Sequence, residues 1–403
     1  MPSRKRTRAN DDAIFLLEYK VLFQRRAPYA ASMKSFAIST TLMACTLTVL
    51  VGCKKPTSGA PDTSSAPAAT SAAPATGLRD PSNRKDIVAL AESALACEWN
   101  ESSGFDEAKC PALAAWTKSE VVQAPEADAT LLAMLADDRD PVRWLAGNAL
   151  ARQERPARTD ASSAKKLLEA ALREPKPLVA RLLGGAAALS DLEATGLESQ
   201  VRGALVSGSS VELRAGLASH VLKVNPKLFD VVLQLARTAP DPTLRSSSIW
   251  GLRLAPDEKL PEVHALWLAR ADDSNDEVVT EVYLRCSVYT ACRPIWDGLL
   301  AKMEQRKKML PATVSLLAAM LRETTDKSKR GRLVKLATRI VEDEKQDAVV
   351  RTMALQALAE AKEPAAQTLA KTHQSSSELL LGMTAKEILE AAGADASADA
   401  SPK

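Results

Sequence analysis

The feature that most constrains this chain is a period far longer than one helical turn. Five stretches share one design: DPVRWLAGNALAR (Asp140–Arg152), PLVARLLGGAAAL (Pro177–Leu189), SVELRAGLASHVL (Ser210–Leu222), PTLRSSSIWGLRL (Pro242–Leu254) and AVVRTMALQALAE (Ala348–Glu360). Each places an arginine after an aliphatic residue, then small and apolar residues at helical spacing. Weaker copies put Thr280 and Ser315 in the arginine place. The marker positions are 143, 181, 214, 245, 280, 315 and 351, with steps of 38, 33, 31, 35, 35 and 36. A single amphipathic helix repeats every ~3.6 residues and cannot produce that longer period. An array of helical hairpins does.

Between the markers lie other apolar-periodic segments, among them AKKLLEAALRE, PKLFDVVLQLART and GRLVKLATRIVED. Each unit therefore reads as two antiparallel helices. The first presents Leu and Val at i, i+3, i+4 and i+7. The second carries small residues, such as Ala146, Gly184 and Ala354, where helices pack closely. Pro and Asp, Asn or Ser fall at the joints, as in Asp140-Pro141, Asn225-Pro226 and Asp241-Pro242, because proline fits a helix's first turn. Composition agrees: 46% of the chain is hydrophobic but only 4% aromatic, and Ala and Leu favour helix over sheet.

The D-P-x-V-R-x-x-A-x-x-A-L pattern resembles a HEAT or HEAT-like repeat, over about 128–393. The resemblance implies an all-α fold: an α-solenoid, a right-handed superhelix of antiparallel helix pairs. It also implies a ladder in which Asp and Arg of successive repeats fix repeat-to-repeat geometry through charge-assisted bonds. Asp140 with Arg143, Asp241 with Arg245 and Asp347 with Arg351 would hold that role. Arg181 and Arg214 would line the same concave surface, and Thr280 and Ser315 would interrupt the ladder. Residues 81–127 read as an N-terminal helical cap. Thr384-Ala-Lys-Glu387 looks like a capping box opening the last helix, which ends near Gly393. Residues 394–403 read as a disordered tail.

The N-terminal part gives an address. Met33-Lys34 and the apolar run Phe36 to Val51 read as a signal peptide over 33–52, short of the ~20 residues of a membrane-spanning helix. Leu50-Val51-Gly52-Cys53 resembles the lipobox of bacterial lipoproteins. That resemblance implies cleavage before Cys53 and lipidation of its thiol, hence a chain anchored to a membrane rather than spanning it. Lys54 after the cysteine implies the outer membrane of a bacterial envelope. Residues 1–32 read as an extension from a start codon placed too early. Residues 53–80, mostly Ala, Pro, Ser and Thr, have too little bulky apolar surface to fold and read as a tether.

With Cys45 removed and Cys53 lipidated, four cysteines remain: Cys97, Cys110, Cys286 and Cys292. An even number fits an oxidising compartment. Three pairings are possible, and Cys97–Cys110 with Cys286–Cys292 are the most economical. The three histidines, His220, His264 and His373, are far apart and have no cysteine beside them, so no metal is expected. Ser162 to Lys165 matches the SxxK of penicillin-binding enzymes without its companion motifs, and helix capping by Asp160 explains it. No other catalytic signature occurs, so neither an enzyme nor a cofactor is expected. Residues 1–52 hold eight Lys/Arg and three Asp/Glu, which leaves 45 basic and 47 acidic residues from Cys53 onward. That balance gives no footprint for nucleic acid. The expected role is a scaffold with a protein partner. The competing readings are a receptor for an extended peptide or glycan and an enzyme subunit with an unrecognised site.

Overall fold

The computed structural model describes residues 77–152, 156–208 and 210–399, with side chains as far as 393. The signal peptide, Leu50, Val51, Gly52, Cys53 and the tether up to residue 76 lie outside the described residues. The first described residues already make a defined contact. Gly77, with φ of +69°, turns the chain so that Leu78 is buried and donates its N–H to Asp137 Oδ2 at 3.0 Å.

The described residues form an all-α protein with twenty α-helices, seven short 3-10 turns and one two-stranded hairpin. Helices α1 (Lys85–Leu95), α2 (Pro111–Lys118) and α3 (Glu120–Gln123) come first. Pairs follow in order: α4 (Asp128–Met134) with α5 (Asp140–Leu150), α6 (Ala161–Arg173) with α7 (Pro177–Ala188), and, after the short α8 (Leu192–Thr195), α9 (Glu198–Ser207) with α10 (Val211–His220). Then come α11 (Phe229–Thr238) with α12 (Pro242–Gly251), α13 (Leu260–Arg270) with α14 (Asp276–Val288), and α15 (Trp296–Gln305) with α16 (Pro311–Glu323). The last pairs are α17 (Lys327–Glu342) with α18 (Ala348–Glu360) and α19 (Pro364–His373) with α20 (Leu379–Asp399). The second member of each pair up to α18 carries a marker position. Every second helix also packs on the second helix of the next pair, from α5 through to α20.

Local chemistry sets these boundaries. Asp160, Ser210, Asp241, Asn275, Asp326 and Asp347 sit at helix N-caps and accept from backbone N–H groups one turn in. Proline occupies the first or second position of α5, α7, α12, α16 and α19. The last helix departs from expectation. It begins at Leu379, so Thr384 is a buried mid-helix residue rather than a cap, and it continues to Asp399. The alanines around Gly393 favour helix strongly enough to carry it past the glycine.

Cys97 pairs with Cys110 and Cys286 with Cys292, at Cα separations of 5.7 and 5.1 Å. Inside the first loop lies a hairpin the sequence reading did not contain. β1 (Trp99–Asn100) and β2 (Gly104–Phe105) pair antiparallel, Trp99 opposite Phe105. Asn100 Oδ1 closes the turn by accepting from the N–H groups of Ser102 and Ser103 at 2.9 and 3.1 Å. Gly104, at φ +79°, lies so close to the Trp144 ring that a Cβ there would meet it at 3.0 Å. Trp99, Phe105 and Trp144 form an edge-to-face trio with centroids 5.0 to 5.9 Å apart, which fastens the hairpin to α5.

The marker arginines also behave differently from the expected ladder. Arg143, Arg214, Arg245 and Arg351 are each the fourth residue of their helix. From there they reach back to carbonyls at the end of the preceding helix. Arg143 donates to the carbonyls of Asp137 and Asp138, Arg214 to those of Leu205 and Val206, Arg245 to those of Ala239 and Pro240, and Arg351 to that of Val341. Three also take a carboxylate of the following pair: Arg143 with Glu174 at 2.8 Å, Arg245 with Asp273 at 3.2 Å and Arg351 with Glu378 at 2.7 Å. Of the three expected Asp–Arg pairs only Asp140–Arg143 is formed, at 2.7 Å. Asp241 and Asp347 cap their helices instead, because a residue just before a helix points its carboxylate at the free N–H groups.

Where the arginine is missing, the joint is closed from the other side. Arg306 donates to the Ala271 carbonyl beneath α14, and Arg339 and Gln346 donate to the carbonyls of Glu304 and Lys307 beneath α16.

Candidate binding face on the marker helices

Arg181 is the exception that locates the site. It is the fifth residue of α7, not the fourth. One residue is about 100° around a helix, so Arg181 leaves the joint and faces elsewhere. The fourth position is held by buried Ala180. Thr280 and Ser315 are likewise fifth, behind buried Val279 and Val314. The side chain of Arg181 is 46% exposed, against 12% for Arg143 and 5% for Arg351. It donates to Ser247 Oγ at 3.0 Å and lies 3.4 Å from Glu212. The bond to Ser247 runs from α7 to α12, past α10.

Glycine makes that reach possible. A Cβ on Gly184 would overlap the Leu213 carbonyl oxygen, one on Gly216 the Arg181 carbonyl, and one on Gly251 the Ala218 carbonyl. Helices α7, α10 and α12 therefore approach backbone to backbone, and side chains from their fifth, sixth, ninth and tenth positions gather on one face. That face holds Arg181, His220, Ser247 and Trp250, joined by Glu281 and Arg285 of α14 and by Arg253 just after α12. The guanidinium carbons of Arg253 and Arg285 lie 4.1 and 3.7 Å from the centroid of the half-buried Trp250 ring. Arg285 is 2.8 Å from Glu281.

The electrostatics follow from crowding. Burial pushes the Glu281 carboxyl above its usual range, against the pull of Arg285, Arg253 and Arg181. Burial, helped by Arg253, pulls His220 down to about 4. His220 Nδ1 is 3.3 Å from the Gly216 carbonyl. A carbonyl can only accept, so the bond requires the proton on Nδ1 and leaves Nε2 as an acceptor.

A recess of ≈ 310 Å³ opens beside this cluster, among α5, α7 and α10. Asn148, Arg152, Leu178, Leu182, Gly185 and His220 contribute to its lining, together with Arg181. A larger basin of ≈ 650 Å³ lies between the end of α15 and the end of α17. Its groups are occupied in holding that joint: Arg339 on the Glu304 carbonyl, Glu304 with Arg332, and Asp343 with Gln346.

Among the sequence-predicted site residues, the structure brings only Arg181 to this face. Arg143, Arg214, Arg245 and Arg351 serve joints. Trp250, His220, Glu281 and Arg285 were legible only as apolar filling or ordinary helix residues. Trp116 and Trp267 are fully buried, so core filling describes them, whereas Trp250 stands at the surface of the cluster. Among the described residues no group of three or more His, Cys, Asp and Glu could hold a metal ion, and no helix is long and apolar enough to cross a membrane.

The fold defines an all-α protein. No family model matches the chain, and no curated protein matches it. The solved structures that resemble it include human deoxyhypusine hydroxylase in complex with glycerol. That likeness covers 76% of this chain and 95% of that chain, at 14% identity and a TM-score of 0.26. So loose a match assigns neither activity nor ligand.

Proposed function

We propose that the chain is a lipid-anchored protein of the bacterial cell envelope whose helix pairs stack into a HEAT-like α-solenoid, and that it works as a protein-binding scaffold. The observation that carries the reading is the unbroken succession of second helices from α5 to α20. Stacked pairs of this kind present side chains of several units on one extended surface, and recognition is then spread over several helices. The cluster of Arg181, Trp250, Arg253 and Arg285 supports it further, because arginine and tryptophan dominate the energetics of protein interfaces. The lipobox at Leu50 to Cys53 supplies the anchor.

The test uses the full chain in native envelopes. A photo-reactive residue placed at Arg181 or Trp250 is expected to cross-link one protein in fixed ratio. The same residue at Leu172 or Val206, exposed on α6 and α9, is expected not to. Equal capture from both faces, or from neither, would remove the scaffold reading. Cys53→Ala is expected to move the chain from the membrane to the soluble fraction.

A further inference from the structure

We propose that the recess among α5, α7 and α10 is a carboxylate site that takes the C-terminal residue of a partner polypeptide. The inference rests on the scaffold reading and names what one part of the surface recognises.

Charge is the first ground. Arg152 and Arg181 are the charged side chains of the lining, and no acidic residue among those described joins them. Arg152 is half-buried, and its side chain makes no hydrogen bond or ion pair with any described residue. Arg181 uses its guanidinium on Ser247 and, more distantly, on Glu212. A guanidinium carries five N–H donors in a planar fork, so two bonds leave capacity for a third acceptor. His220 adds no positive charge near neutrality and presents Nε2 as an acceptor.

The second ground is the group beside the arginines. Asn148 is a half-buried residue of the lining, and its Oδ1 has no hydrogen-bond partner among the described residues. A buried acceptor left unmade is costly, and a turn of the amide toward the recess would let a donor on an occupant meet it. A C-terminal residue carries an amide N–H one carbon away from its carboxylate, and so offers both halves at short range. Leu178 and Leu182 give an apolar wall for its side chain.

Size is the third. At about 30 Å³ per water, ≈ 310 Å³ is the room of roughly ten waters, enough for one residue of modest bulk. Gly185 keeps that room open: a Cβ there would sit 3.2 Å from His220 Nδ1.

The test is fluorescence anisotropy on the full mature chain. The probe is an N-terminally labelled pentapeptide pool ending in Ala, Val or Leu with a free carboxylate. Its controls are the same pool amidated, an amidated pool with an internal Asp, and N-acetylalanine as a competitor. Free-acid peptides are expected to bind, amidation to weaken binding about tenfold or more, and N-acetylalanine to compete weakly. Arg152→Gln, at a position that holds no described joint, is expected to weaken binding by a similar factor, with Arg152→Lys partly restoring it. Equal binding of free and amidated pools overturns the proposal, as does binding of none. Preference for the internal-Asp pool also overturns it, in favour of a side-chain carboxylate. If envelope cross-linking from Trp250 persists while the peptides fail, the scaffold stands and this assignment alone falls.

Discussion

At the scale of the residue, His220 is where folding and protonation oppose each other. Its folded pKa, about 4, lies below the ordinary histidine value of 6.5, because burial and then Arg253 disfavour the imidazolium. Between those values the unfolded chain binds more protons, so stability rises with pH across the window and is lost as pH falls from 6.5 toward 4. The shift corresponds to up to about 3 kcal/mol, less whatever solvent access relieves. Glu281 works in the opposite sense: its raised pKa means the folded chain takes up that proton earlier on acidification. Urea unfolding of wild type and His220→Gln at pH 7.5, 5.5 and 4.5 separates the two, since Glu281 is common to both. The wild type is expected to lose more stability on acidification than the variant. A gap between the two proteins that stays constant with pH would contradict the burial argument. The sequence showed His220 only as a residue within a helical pattern. Its special state arises from Gly185, which leaves room for the ring, and from Gly216, which lets α7 and α10 close to backbone contact; no single-helix pattern carries that.

At the scale of the element, much was legible because it was local. The helix pairs follow from apolar spacing, and the N-caps from Asp and Ser before apolar runs. What escaped was register. The marker arginine of α7 aligned with the others in sequence, yet the loop before it places it one residue further into its helix, and the side chain changes face. The β1–β2 hairpin escaped because strands of two residues have no alternation to detect; it is defined by Gly104 under Trp144 and by the bridge across its base. The glycines that join α7, α10 and α12 yield a paired prediction. Gly216→Ala drives a methyl into the Arg181 carbonyl and is expected to cost about 1–3 kcal/mol or more, because backbone cannot yield as a side chain does. Gly203→Ala, on α9 with nothing within 4 Å, is expected to stabilise by about 0.5–1 kcal/mol. Thermal and urea midpoints of the two variants should move in opposite directions. Movement in the same direction would mean that these helices are not held at backbone contact.

At the scale of the whole molecule, contacts run mainly between neighbouring pairs, so stability is expected to vary along the chain. Native-state hydrogen exchange should be slowest in α7, α10 and α12, where glycine contacts and Arg181–Ser247 tie three pairs together. It should be fastest in α19 and α20, where Leu379 and Met383 remain exposed. Uniform protection across all pairs would instead indicate one indivisible cooperative block.

The joints beneath α14 and α16 give the molecule a polarity. Upstream, most joints carry their own arginine, as a bracket bolted to the beam it supports. Beneath α14 and α16, Arg306, Arg339 and Gln346 are bolts supplied by the next beam. Shortening the chain from its C-terminal end would therefore loosen material that was never cut, one joint ahead of the break. Shortening it from the other end would leave those joints fastened. Damage of equal length is not equal damage here, and proteolysis from the C-terminal side is the kind that travels.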